Sequence, residues 1–195
     1  DLSLDDYINS MLKIDYQKTN NDNYLKIFNL ESSIVPKNND VLESIIELDL
    51  EHEDYDFTAS FEMYETLKGS NSDRYQYVLP SYNFSKNFYL ENITGGFNLN
   101  SYGNNSLKDT NINTSAIFND LNYSTLNSFS ESGIKSNFEI FFKNVNTVGK
   151  NSSQYQNSLQ SELMSAYTYN VSIPMIKKDS NSLNTLEPKV SFKLN

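Results

Sequence analysis

Across residues 41–67 the side chains alternate apolar and polar with a period of two, a pattern that a strand can use and a helix cannot. Leu42, Ser44, Ile46, Leu48 and Leu50 share one phase; Glu43, Glu47, Asp49 and Glu51 share the other, with Ile45 as the exception. The second half repeats the alternation, with Tyr55, Phe57, Ala59, Phe61 and Met63 set against Asp56, Thr58, Ser60, Glu62 and Tyr64. The expected structure is a hairpin closed by a tight acidic turn at His52 and Glu53. That closure puts Leu50 opposite Tyr55, Leu48 opposite Phe57, Ile46 opposite Ala59 and Leu42 opposite Met63, so both apolar rows lie on one face. It also sets Asp49 against Asp56 and Glu43 against Glu62, which is tolerable only on a well-hydrated face.

The same rhythm runs through the chain. Leu12, Ile14 and Tyr16 alternate with Met11, Lys13, Asp15 and Gln17. Tyr75, Tyr77 and Leu79 hold one phase and Tyr82 and Phe84 the other, and the slip falls at Pro80, where a missing N–H marks an edge, a bulge or a strand end. A strand is expected after Gly95 and Gly96 with Phe97 and Leu99 in phase, returning through Ile112, Thr114, Ala116 and Phe118. Ile134, Ser136, Phe138, Ile140 and Phe142 alternate with Lys135, Asn137, Glu139 and Lys143. The longest run places Leu159, Leu163, Tyr167, Tyr169, Val171 and Ile173 on one side, and the last places Leu186, Pro188, Val190, Phe192 and Leu194 against Glu187, Lys189, Ser191 and Lys193. Residues 23–30 suggest a short helical turn, and residues 36–40 and 68–73 suggest loops.

About nine strands result, most of them longer than the usual soluble strand of about 5 to 6 residues. Alternating strands of about 9 to 11 residues with an uncharged apolar row are what a hydrocarbon layer demands. The expected fold is therefore all-β, an antiparallel transmembrane β-barrel, with residues 1–195 forming part of a larger barrel domain. The start without Met and the stop inside a regular pattern suggest a piece of a longer protein, whose isolated edges would be unpaired. Tyr16, Tyr55, Tyr75 and Phe192 are candidates for interfacial girdles. A formal net charge of -10 argues against nucleic acid as a partner. There is no Cys, and no apolar run reaches the roughly 18 residues of a transmembrane helix.

Chemistry-bearing residues are sparse. His52, the single His, lies among Glu51, Glu53, Asp54 and Asp56, but their spacing matches no calcium loop and reads as a solvated turn. Glu43, Glu47 and Glu62 recur in the manner of a hydrated face rather than of a paired acid and base. No catalytic set, cofactor loop or metal site is expected. The polar row, with Glu43, Glu47, Asp49, Asp56, Glu62, Lys143, Glu187 and Lys189, is expected to face a water-filled lumen.

Three stretches carry a family resemblance: residues 12–28, LKIDYQKTNNDNYLKIF; residues 74–84, RYQYVLPSYNF, with the Leu79–Pro80 pair; and residues 185–194, TLEPKVSFKL, with Leu186, Glu187 and Pro188. In order and spacing the chain resembles the outer-membrane barrel of the lipopolysaccharide-assembly family LptD, formerly the organic solvent tolerance proteins. It departs from the family pattern after Pro188, where Ser191 and Lys193 stand in place of aromatic residues and a Val-Pro pair. The resemblance implies a barrel of the cell outer membrane, a lipoprotein plug of the LptE kind in its lumen, and lipopolysaccharide received from a periplasmic Lpt bridge. It further implies that residues 1–195 lack the family's periplasmic domain. The residues alone leave two alternatives open: another outer-membrane porin or channel, and a soluble secreted β-sandwich that binds ligands through its loops.

Overall fold

A computed structural model describes residues 2–23, 40–68, 73–179 and 182–195. The expected helical turn at 23–30 and most of the loops at 36–40 and 68–73 lie outside the described residues. Among those described there is no α-helix, and the chain is all-β.

Twelve strands form: β1 Asn9–Asp15, β2 Val41–Glu51, β3 Tyr55–Thr66, β4 Tyr75–Phe88, β5 Gly96–Lys108, β6 Ile112–Ser124, β7 Ser128–Phe129, β8 Lys135–Lys150, β9 Gln160–Ser172, β10 Met175–Asp179, β11 Ser182–Leu186 and β12 Lys189–Leu194. Nine of them pair in the order β1-β2-β3-β4-β5-β6-β8-β9-β12, with β7 added to β8 and β10 paired only with β11. The pairs β1–β2, β2–β3, β7–β8, β9–β12 and β10–β11 are antiparallel. Among the described residues the path ends at β1 and β12 without returning to its start.

The strands are long because the ladder carries them through residues of low strand propensity. β5 runs for 13 residues and β6 for 13, although 98, 100, 104, 105, 113, 119 and 122 are all Asn. β8 reaches 16 residues and β4 reaches 14. Each backbone group placed between two neighbours is satisfied on both sides, and that outweighs the weak preference of Asn for extended structure.

The central hairpin forms in a different register from the one expected. The turn residues are Glu53 and Asp54, the His52 N–H donates to the Tyr55 carbonyl at 2.9 Å, and Glu51 stands opposite Asp56. Leu50 therefore faces Phe57, Leu48 faces Ala59, Ile46 faces Phe61 and Ser44 faces Met63. Moving the turn by one residue shifts every partner by two, so the faces are kept while the pairs change. The turn is held by the Asp54 N–H donating to His52 Nδ1 at 3.1 Å and by the His52 and Tyr55 rings stacked at 4.8 Å. The expected oppositions of Asp49 with Asp56 and Glu43 with Glu62 do not occur: Asp49 meets Thr58 and Glu43 meets Tyr64.

Two further expectations change. Of the alternatives at Pro80 the strand end falls away, since Pro80 lies inside β4, after a cis Leu79–Pro80 bond. The Leu79 carbonyl accepts from Asn105 Nδ2 at 3.1 Å, so a side chain from β5 meets it where proline interrupts the donors of the strand. The final strand begins at Lys189: Leu186 closes β11 opposite Met175, and Pro188 precedes β12, its carbonyl accepting from the Ile173 N–H at 3.2 Å.

The chain divides into two compact units. The first comprises Asp1–Ser85, Ser101–Phe118 and Val145–Glu162; the second comprises Lys86–Asn100, Asn119–Asn144 and Leu163–Asn195. Buried apolar residues are few among those described: Leu42, Leu67 and Ala116. Gly95 joins β4 to β5 at a φ of +131°, and a Cβ there would stand 2.3 Å from the Ser124 carbonyl oxygen, which only glycine avoids.

Candidate functional site

The site is a surface, and alternation builds it. In the first unit Leu12 pairs with Leu48 and Ile14 with Ile46, which in turn faces Phe61, giving one apolar face across β1, β2 and β3. In the second unit Val171 pairs with Val190, Tyr169 with Phe192 and Tyr167 with Leu194. These apolar residues are open to the surroundings: Ile46 is 48% exposed, Phe61 51%, Val190 57% and Phe192 63%. On the opposite face Ser60 is 4% exposed and Ser172 7%, while Glu43 and Asp56 are exposed. Burial is not confined to one face, since Leu42, Ser44 and Glu65 of the apolar row are buried too, but large apolar side chains that a soluble core would enclose stay open.

The polar face is closely hydrogen-bonded. In the first unit, Thr58 Oγ1 donates to Asp49 at 3.0 Å; Ser60 Oγ and Tyr64 OH donate to the two oxygens of Glu62 at 2.6 and 2.7 Å. The Ser60 hydroxyl also bonds the Ser81 hydroxyl of β4 at 2.8 Å. The structure thus puts Glu43, Glu47, Asp49, Asp56 and Glu62 on one face of β2 and β3 and supplies hydroxyl donors to Asp49 and Glu62.

In the second unit the polar face carries both signs of charge. Lys143 Nζ lies 3.1 Å from Asp120. Glu187 accepts from Ser172 Oγ at 2.9 Å and from Lys135 Nζ at 3.3 Å, with Lys189 Nζ 3.9 Å away. The Ser172 hydroxyl and the Lys135 ammonium hold the Glu187 carboxyl below its ordinary range. Asn170 Nδ2 donates to Glu139 at 3.3 Å, and Ser191 Oγ donates to Asn170 at 2.6 Å. A cavity of about 320 Å³ opens between these groups, lined by Lys135, Asn137, Glu139, Asn170, Ser172, Glu187 and Lys189.

His52 sits at the hairpin tip, where Tyr7 OH and Tyr55 OH are 2.9 Å apart beside a cavity of about 530 Å³ lined by Asp5, Asp6, His52 and Glu53. Among the described residues no three His, Asp or Glu side chains converge in a way that could hold a metal ion.

Several contributors are not evident in the linear sequence. Asp120, the partner of Lys143, lies past the point where the alternation of β6 fades at Phe118. Glu65 has the phase of the apolar row, opposite Leu42, yet is nearly buried because Arg74 Nε reaches it at 3.2 Å and Tyr75 OH at 3.1 Å; Arg74 also binds Asp22 at 2.7 Å. A charge in that row is stable only where such partners enclose it. Of the four expected girdle residues, Tyr55 and Tyr75 open β3 and β4, Tyr16 follows β1, and Phe192 lies inside β12.

What the geometry defines is a class: a long-stranded antiparallel sheet with one exposed apolar face and one hydrogen-bonded polar face. No protein-family model matches the chain, and no curated protein matches it either.

Proposed function

We propose that this chain forms part of the wall of an outer-membrane β-barrel, with its apolar face toward lipid and its polar face toward a hydrated lumen, and that the barrel assembles lipopolysaccharide at the cell surface. The observation that carries the membrane part is the row of large apolar side chains left open on one face, with Ile46, Phe61, Leu163 and Phe192 all exposed. Lipid accepts apolar side chains and rejects unpaired polar groups, so in lipid the exposed rows cost nothing and the bonded polar face is kept from it. A secreted β-sandwich would have to cover those rows with a second sheet.

The lipopolysaccharide part rests on the resemblance of the three stretches at 12–28, 74–84 and 185–194 to the LptD family. In that reading Glu43, Glu47, Asp49, Asp56, Glu62, Lys143, Glu187 and Lys189 line a wet path for the saccharide while the acyl chains stay near lipid. The implied partners are a lipoprotein plug of the LptE kind and the periplasmic Lpt bridge. No step of this function needs a cofactor or a catalytic residue.

The first test is fractionation of the protein's own cells, with boiled and unboiled detergent samples compared on a gel. Recovery in the outer membrane with a heat-dependent mobility shift is expected; a soluble protein with no shift would overturn the reading. Depletion is then expected to strip newly made lipopolysaccharide from the surface. Unchanged surface lipopolysaccharide with a membrane-located barrel would leave a porin or channel.

A further inference from the structure

Within the second unit, five aromatic rings on five neighbouring strands touch in sequence. Phe88 of β4 meets Phe97 of β5 at 5.1 Å between ring centres, Phe97 meets Tyr123 of β6 at 4.6 Å, Tyr123 meets Phe138 of β8 at 5.7 Å, and Phe138 meets Tyr167 of β9 at 6.0 Å. Tyr167 stands opposite Leu194, so the row lies on the apolar face. Phe138 has the phase of Ile140 and Phe142 on β8.

The height of the row matters as much as its face. Phe88 is the last residue of β4, Phe97 the second of β5 and Tyr123 the last but one of β6. Past them the chain leaves the ladder through residues 89–95, whose backbone groups have no continuous strand partners and need water. The Tyr123 hydroxyl donates to the Thr94 carbonyl of that turn at 2.8 Å, so its ring lies with the apolar row while its polar tip points to the turn. An apolar body with a wet end is the arrangement favoured where headgroups meet acyl chains.

We infer that this row is a membrane-interface belt: the five rings lie at the boundary between lipid headgroups and acyl chains, with residues 89–95 on the water side and Phe142 toward the hydrocarbon. This assignment rests on the membrane part of the proposed function and adds the depth and the lipid region that the face contacts.

The chain contains no Trp, so single Trp residues report depth directly. The full-length protein would be reconstituted in phosphatidylcholine vesicles as F97W, Y123W, F138W and F142W, and fluorescence quenched by lipids brominated near the headgroup or near the acyl terminus. Phe142 lies four residues beyond Phe138 in the same phase, about 13 Å along the strand. The expected result is stronger shallow quenching at 97, 123 and 138 and stronger deep quenching at 142, with the shallow-to-deep ratio differing by about twofold or more. Deep quenching at 97, 123 and 138 would overturn the belt and leave the membrane wall standing. No quenching at any of the four would overturn both. Three positions on three strands keep the outcome independent of one variant that fails to fold.

Discussion

The β2–β3 hairpin and the β9–β12 pair are built on the same alternation and differ in what their polar rows carry. Both place an apolar row on one face: Leu48, Ile46 and Phe61 in the first, Val171, Val190 and Phe192 in the second. The hairpin's polar row is acidic, with Glu43, Glu47, Asp49, Asp56 and Glu62 and no Lys; that of the pair is Ser172, Asn170 and Thr168 facing Lys189, Ser191 and Lys193. Alternation therefore decides which side chains share a face, whereas the charge of the polar face is free to vary along the sheet. The acidic row is held by hydroxyl donors: the register brings Thr58 to Asp49, and Glu62 takes Ser60 and Tyr64 from its own strand. In the second unit a carboxylate again takes a hydroxyl, Ser172 to Glu187, and adds the ammonium groups of Lys135 and Lys189.

The comparison breaks most directly by placing a charge on the face that both regions share. Ile46→Lys and Leu163→Lys are each expected to cost up to about 2 to 4 kcal/mol of folding stability in vesicles, the larger loss falling nearer the bilayer midplane. Glu47→Lys and Lys193→Glu, on the polar face, are expected to cost about 0.5 kcal/mol. Urea titration of the heat-modifiable form measures all four, and equal losses would mean that the faces do not differ in medium.

Register is the next point to test. In a chain without native Cys, Leu48→Cys with Ala59→Cys is expected to form a disulfide readily, and Leu48→Cys with Phe57→Cys to do so poorly, since only the first pair is directly opposite. The reverse result would restore the turn at His52 and Glu53. Removing one hydroxyl donor sharpens the account of the acidic row: Thr58→Val is expected to cost about 1 kcal/mol by leaving Asp49 without its donor. No change in the urea midpoint would mean that water replaces the hydroxyl.

The smallest effect belongs to the ion-paired region. Glu187 is held below the usual carboxylate range in the folded chain, chiefly by Ser172 and then by Lys135. A depressed folded value stabilises the fold above the ordinary carboxylate range, and that contribution is lost as the pH falls through the folded value. Glu187→Gln is therefore expected to flatten the acid side of the stability profile, while Lys135→Met leaves a weaker slope. An unchanged acid limb in Glu187→Gln would remove Glu187 from the account.

Much of the fold is legible in the residues themselves, and the failures have definite causes. The nine strands of the main path are marked by period-two alternation, and the apolar rows of β2, β3, β9 and β12 can be read directly. β10 and β11 are harder to see, because Lys177, Lys178 and Asp179 leave little alternation to recognise. The polar charges are visible as a row, but their partners are not: Asp120 for Lys143 and Ser172 for Glu187 come from other strands.

By itself the sequence determined which side chains share a face, because a strand turns its side chains over at every residue and a shift of two preserves that phase. It also determined that one row is apolar and the other polar. Only the tertiary structure decided the register, the cross-strand partners Thr58 of Asp49 and Ser172 of Glu187, and the alignment of Phe88, Phe97, Tyr123, Phe138 and Tyr167 into one row. Those depend on where each turn closes. With the closure at Glu53 and Asp54, where His52 stacks on Tyr55, Asp49 faces Thr58 and Glu43 faces Tyr64, while Glu51 and Asp56 become the facing carboxylate pair next to the turn. Apolar periodicity is the same for either closure, and the difference lies in contacts between residues that it does not distinguish.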